Sequence, residues 1–230
     1  MRISATSSSD LATQIAAANP GVQPRGMGRT KIQTEAWIAH RLVSTLAHHG
    51  IFEFPLSFED RDRPDLLISS NGAQLGAELT ELVPPAYAHA RAIANQYHPS
   101  AVIDRSIFTW GASFTSQQIH DHLKQATRLS GPGWAGDSVE RELAAAMNDA
   151  LTIKADRLNQ PGYAHYAENW LVAYASSPGP ALDIEHCSTF LNAPASTATP
   201  VMFDHVVLLA GRRLVILDAG GSRVLDVQQV

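Results

Sequence analysis

The feature that most limits what this chain can fold into is a pair of apolar-rich runs around an Asn-Gly dipeptide. Leu66-Leu67-Ile68 leads into Ser70-Asn71-Gly72, and the stretch Gln74 to Leu82 follows, closed by Pro84-Pro85. Asn and Gly both accept positive φ, which the tight turns of β-hairpins require. Proline has no N–H to give to a ladder, so the pair ends the second strand. The segment predicts a β-hairpin, and the fold must be built around a sheet.

Helical signals flank it. From Thr30 to Ala47, residues Ile38, Ala39, Leu42 and Leu46 recur at the period of about 3.6 that marks a helix with one apolar face. Asp137 with Glu140 suggests a capping box for a long helix ending near Leu158. Ile51–Phe54 reads as a first strand and Trp170–Tyr174 as a central one. Val206–Leu209, Leu214–Leu217 and Val224–Val227 follow as strands separated by Gly211 and Gly220-Gly221. The expected class is α/β: a three-layer α/β/α domain with a central mixed sheet of about five strands, antiparallel at its edges. Residues 1–29 read as a loosely ordered arm with a short helix at Asp10–Ala18. Residues 30–230 read as a single domain with a helical insertion near 86–136, in which Ser116–Leu129 is the clearer helix. A further short helix is expected at Asp183–Leu191.

Composition narrows the function classes. A 45% hydrophobic and 17% charged content excludes a disordered chain, and one cysteine, Cys187, excludes an internal disulfide. The first residues show no signal-peptide pattern, and no run approaches the roughly 18 apolar residues of a membrane span. A cytoplasmic protein is expected. The net charge of −5 gives no general basic surplus, so any nucleic-acid contact must come from a local patch.

Two charges sit where apolar residues belong. Glu35 is in line with Ile38, Leu42 and Leu46, and Lys154 with Leu143, Met147, Leu151 and Leu158. An unpaired charge on a buried face is costly, so each needs a partner, a metal or a wet cleft. Asp65 opens the first strand of the hairpin, and Glu78 lies in the second, facing the same way as Thr80. Carboxylates on adjacent strands, joined by a third from a helix, make an all-oxygen site suited to a hard divalent cation such as Mg²⁺, with Mn²⁺ a substitute. Such a cation polarises a phosphoryl oxygen and lowers the pKa of a bound water, which is the chemistry of phosphodiester hydrolysis.

A helix bearing Glu35, then Pro64-Asp65, then Gly76-Ala77-Glu78-Leu79-Thr80-Glu81-Leu82, then a helix and a strand, resembles the PD-(D/E)xK nuclease superfamily. The resemblance covers residues 31–82 and, more loosely, 138–175. It implies a restriction-endonuclease-like fold and a magnesium-dependent hydrolase acting on nucleic acid. By that likeness Asp65, Glu78 and the main-chain carbonyl of Leu79 would hold the metal, and Glu35 would be the auxiliary acid of the first helix. The chain departs from the pattern at Thr80, where the family has lysine. In some branches that lysine migrates to the neighbouring helix, which makes Lys154 the candidate replacement. Arg61 and Arg63 flank the Pro-Asp turn, where a phosphate backbone would pass. The alternative is a catalytically silent relative that binds protein, as a regulator or immunity-type partner; Thr80 and the acidic balance both favour it.

Other motifs read as structure. Gly131-Pro132-Gly133-Trp134-Ala135-Gly136 matches a dinucleotide fingerprint in letters, but it follows a helical pattern where that motif needs a strand. His120 and His122 would point about 200° apart on a helix and cannot share a metal. Cys187 beside His186 is no arrangement for thiolate chemistry. Glu81, on the face opposite Glu78, reads as a surface residue.

Overall fold

The computed structural model describes residues 1–18, 29–177, 179–192 and 203–228. One eight-stranded sheet has its strands ordered as in the sequence. β1 (Arg2–Ala5), β2 (Leu56–Asp60), β3 (Leu66–Ser70) and β4 (Ala73–Glu81) pair antiparallel in succession. β5 (Glu168–Ala175) runs parallel to β4, and β6 (His205–Ala210) parallel to β5. β7 (Arg213–Asp218) and β8 (Gly221–Asp226) finish the sheet antiparallel. Asn71 and Gly72, both at positive φ, turn β3 into β4. The expected hairpin is present.

Parallel neighbours need long crossovers. The β4-to-β5 crossover carries α3 (Pro85–Tyr97), α4 (Ser116–Leu123) and α5 (Ser138–Leu158), and the β5-to-β6 crossover carries α6 (Ile184–Asn192). α1 (Ser8–Ala18) and α2 (Lys31–His48) precede β2.

Side-chain alternation along the strands sorts these helices onto two faces. Ala77, Leu79, Val172 and Val207 pack with Ile38, Leu42 and Leu46 of α2 and Ile15 of α1. Ala173, Leu208 and Val215 pack with Leu143 and Met147 of α5 and Cys187 of α6. The molecule is thus α/β, with helices on both faces of a mixed sheet. α3 and α4 enclose a small core of their own around Phe108 and Ile119.

The structure differs from expectation in several places. The sheet has eight strands, where about five were expected. Residues 2–18, read as a loose arm, form the edge strand β1 and α1, and place Ile3, Ala5, Leu11 and Ile15 in the main core. The rest of that arm up to 28 lies outside the described residues. Ile51–Phe54 is not a strand: the amides of Ile51 and Phe52 close the end of α2 by donating to the Leu46 carbonyl, and the strand begins at Leu56. α4 stops at Leu123, and Ala126 is buried within the loop that follows. The capping box at Asp137 is absent; its carboxylate accepts from Arg141 Nε at 2.9 Å. Glu140 instead accepts from the Asp183 amide of the segment entering α6, at 2.9 Å.

Candidate active site

α2 begins with a capping box in which the Thr30 hydroxyl accepts from the Gln33 amide while the Gln33 side chain accepts from the Thr30 amide. From that fixed start, Lys31, Thr34, Glu35 and Ile38 fall at i, i+3, i+4 and i+7, one stripe of the helix. All four line a cleft of about 440 Å³. Its other walls come from Leu79, Thr80 and Glu81 of β4, from Lys154 and Arg157 of α5, and from Arg29.

The hairpin register places the two acids. Leu66 of β3 pairs with Ala77 of β4, so Asp65, one residue before β3, comes level with Glu78. Gly76 permits this approach, since a Cβ there would lie 2.6 Å from the Tyr166 ring and 2.9 Å from Pro64. The Leu79 amide donates to Asp65 Oδ2 at 2.8 Å and ties the Pro64-Asp65 loop to the buried part of β4.

Lys154 reaches both acids. Its ammonium donates to Asp65 Oδ2 at 2.9 Å and to Glu78 Oε2 at 2.7 Å. Glu78 is 2% exposed, so these charges sit where desolvation is severe and the geometry has to be good to offset it. Tyr163, in the loop after α5, adds a further donor from its hydroxyl to Glu78 Oε1 at 2.7 Å. Burial, followed by that hydrogen bond to an anion, raises the phenol's pKa well above its ordinary value.

Glu35 joins through Lys31, which lies 3.1 Å from Glu35 and 3.7 Å from Asp65. Burial first, and the Asp65 charge after Lys31's opposing hydrogen bond, raises the pKa of Glu35. Lys31's pKa is raised as well, mainly by its hydrogen bond to Glu35. Both can rise because the lysine side chain is 78% exposed and the glutamate only 21%, so desolvation dominates the acid alone.

The structure therefore brings Lys154 into direct contact with Asp65 and Glu78, and Lys154 and Glu35 both line the cleft. Among the described residues, no three His, Cys, Asp or Glu side chains are grouped to hold a metal ion. The donor chemistry still fits a small hard cation. Two carboxylates from neighbouring strands converge on one positive charge, which in this structure is the Lys154 ammonium.

The two arginines expected to meet a phosphate backbone are placed differently. Arg61 turns onto Glu59 of β2, with Nε 2.8 Å from Oε1. Arg63 lies over the Tyr163 ring at 5.9 Å, at the edge of the site. Glu81 is no bare surface residue: it pairs with Arg29 at 2.5 Å, with side chains 14% and 8% exposed. Tyr163, Arg157 and Lys31 are missing from the sequence-based set. Only the helical stripe around Glu35 could have signalled Lys31; for Tyr163 nothing short of the folded loop does so.

Comparison with protein-family models, curated proteins and solved structures finds no match to this chain. The site stands on its own geometry.

The remaining motifs are structural. The amides of Ser130 and Gly131 donate to Asp104 Oδ2 at 3.0 and 2.7 Å, so a carboxylate fills the place a phosphate would take at that glycine loop. His120 turns to His98 and His122 to Phe108, as their helical spacing requires. Cys187 is buried, and its thiol is pushed up to about 12 by burial and then by Glu140 and Asp183. Among the described residues, no helix is long and apolar enough to cross a membrane.

Proposed function

We propose that this chain is a metal-dependent phosphodiester hydrolase of restriction-endonuclease-like architecture acting on nucleic acid. The observation that carries the reading is the meeting of two acids of one hairpin, Asp65 and Glu78, with Lys154, which comes from the distant α5 and lines the cleft. Thr80 is the position where the resemblance would put a lysine, and Lys154 of α5 brings an ammonium to the two acids instead. A Mg²⁺ or Mn²⁺ ion held by Asp65, Glu78 and the Leu79 carbonyl would polarise a phosphoryl oxygen and acidify a bound water.

The chain's own residues do the rest. The Leu79 amide and the Tyr163 hydroxyl each hold one carboxylate in a fixed orientation. Lys154 places a positive charge beside the reacting phosphoryl group, where negative charge develops in the transition state. Glu35, with its raised pKa and its place on the cleft, accepts a proton from the attacking water.

A second reading is a catalytically silent domain serving as a protein-binding regulator or immunity-type partner. One observation favours it: Lys154 already bridges both acids, as a purely structural ion cluster would. Incubation of DNA and RNA substrates with Mg²⁺ separates the two. Cleavage that disappears in Glu78→Gln supports the hydrolase; no cleavage of either substrate, with the parent folded, favours the silent domain.

A further inference from the structure

The distribution of positive charge around the cleft bears on the form of nucleic acid it accepts. Cationic side chains elsewhere are largely committed to acids: Arg105 to Glu142, Arg141 to Asp137, Arg223 to Asp218. Inside the cleft, Arg29 is held by Glu81, Lys31 lies beside Glu35, and Lys154 serves Asp65 and Glu78. Arg157 is different. It lines the cleft one turn beyond Lys154, its side chain is exposed, and it has no ion pair among the described residues.

A duplex-binding surface neutralises many phosphates at once, usually six or more, with a row of free cations. Here the net charge is −5 and the cleft of about 440 Å³ is the size of a small-ligand site, room for one or two nucleotides. A planar guanidinium with no ion pair among the described residues suits bidentate contact with a single phosphate.

We propose that the cleft takes a single-stranded nucleic-acid segment or strand end, gripped at only one or two phosphates, with Arg157 the chief phosphate-binding side chain. This rests on the hydrolase reading above and narrows its substrate. Arg157 and Lys31, both exposed, line the cleft from the end of α5 and the start of α2, so a single strand can pass between them beside Lys154.

The test is fluorescence anisotropy with labelled single-stranded DNA, single-stranded RNA and the corresponding DNA duplex, using the full chain with Ca²⁺ to prevent turnover. A single strand should bind more tightly than the duplex. With one or two phosphate contacts its affinity should fall less than about tenfold between about 50 and 200 mM salt, against about a thousandfold or more for a many-contact interface. Arg157→Gln should weaken binding about tenfold and lower the salt slope by about 0.7. Tighter duplex binding, a steep salt dependence or an Arg157→Gln variant that binds like the parent overturns the inference. Should Mn²⁺ bind at Asp65 while no strand binds, this inference fails and the metal reading stands. If Mn²⁺ does not bind, both fall together.

Discussion

Lys154 is the residue on which the electrostatics of the site turn. It is the positive charge that bridges half-buried Asp65 and buried Glu78, and removing it leaves the two carboxylates to repel each other with only the exposed Lys31 near Asp65. Lys154→Met should therefore destabilise the protein by about 3–5 kcal/mol, the usual cost of breaking a buried pair, measurable by urea unfolding. Lys154→Arg keeps the charge and should keep most of that stability while losing cleavage, because the fork cannot meet both oxygens from the same place. A Lys154→Met protein as stable as the parent would contradict a stabilising role for this ion cluster.

Glu35 gives a pH signature. Its pKa is raised by burial and by Asp65, so the folded state holds its proton longer than the unfolded chain does. Stability then falls as pH climbs upward from about 4, the ordinary glutamate range, and the deficit persists at neutral pH. Lys31 is too exposed to offset it. Glu35→Gln should melt above the parent at pH 7, with the gap closing below about pH 4. Thermal melts across that range check the sign; a variant that melts lower at neutral pH would show the carboxylate to be stabilising.

At the level of elements, the β3–β4 hairpin and α2 were legible because their signals are local: an Asn-Gly turn, a proline stop and an apolar stripe ending at Gly50. β1 was not. Ile3 and Ala5 alternate over four residues among serines and look like a tail until β2 offers an edge to pair with. Ile51–Phe54 misled in the opposite direction, since its apolar residues pack a helix end without joining a ladder. The carboxylate pair was readable from the hairpin register, and Lys154 from its misfit on an apolar face. Tyr163, Arg157 and the Arg29–Glu81 pair depend on long-range packing that no local pattern encodes. Gly76 belongs to the same class: its need for glycine comes from Pro64 and Tyr166 lying against it. Gly76→Ala should displace the Pro64-Asp65 loop, lower stability by about 1–3 kcal/mol and reduce cleavage, as thermal melts and activity assays can show.

Across the whole molecule, an antiparallel hairpin feeding a parallel centre puts Asp65 beside Glu78 and Leu79 of β4, with α2 and α5 packed on the two faces of the sheet. The sheet fixes the acids, α5 delivers the lysine, and the cleft opens beside the end of β4. The most direct measurement is Mn²⁺ binding followed by electron paramagnetic resonance on the parent and on Asp65→Asn. One bound Mn²⁺ in the parent, lost or strongly weakened in the variant, is the predicted result. No bound ion in the parent, or equal binding in a folded Asp65→Asn protein, would contradict a hydrolytic centre built on Asp65 and Glu78.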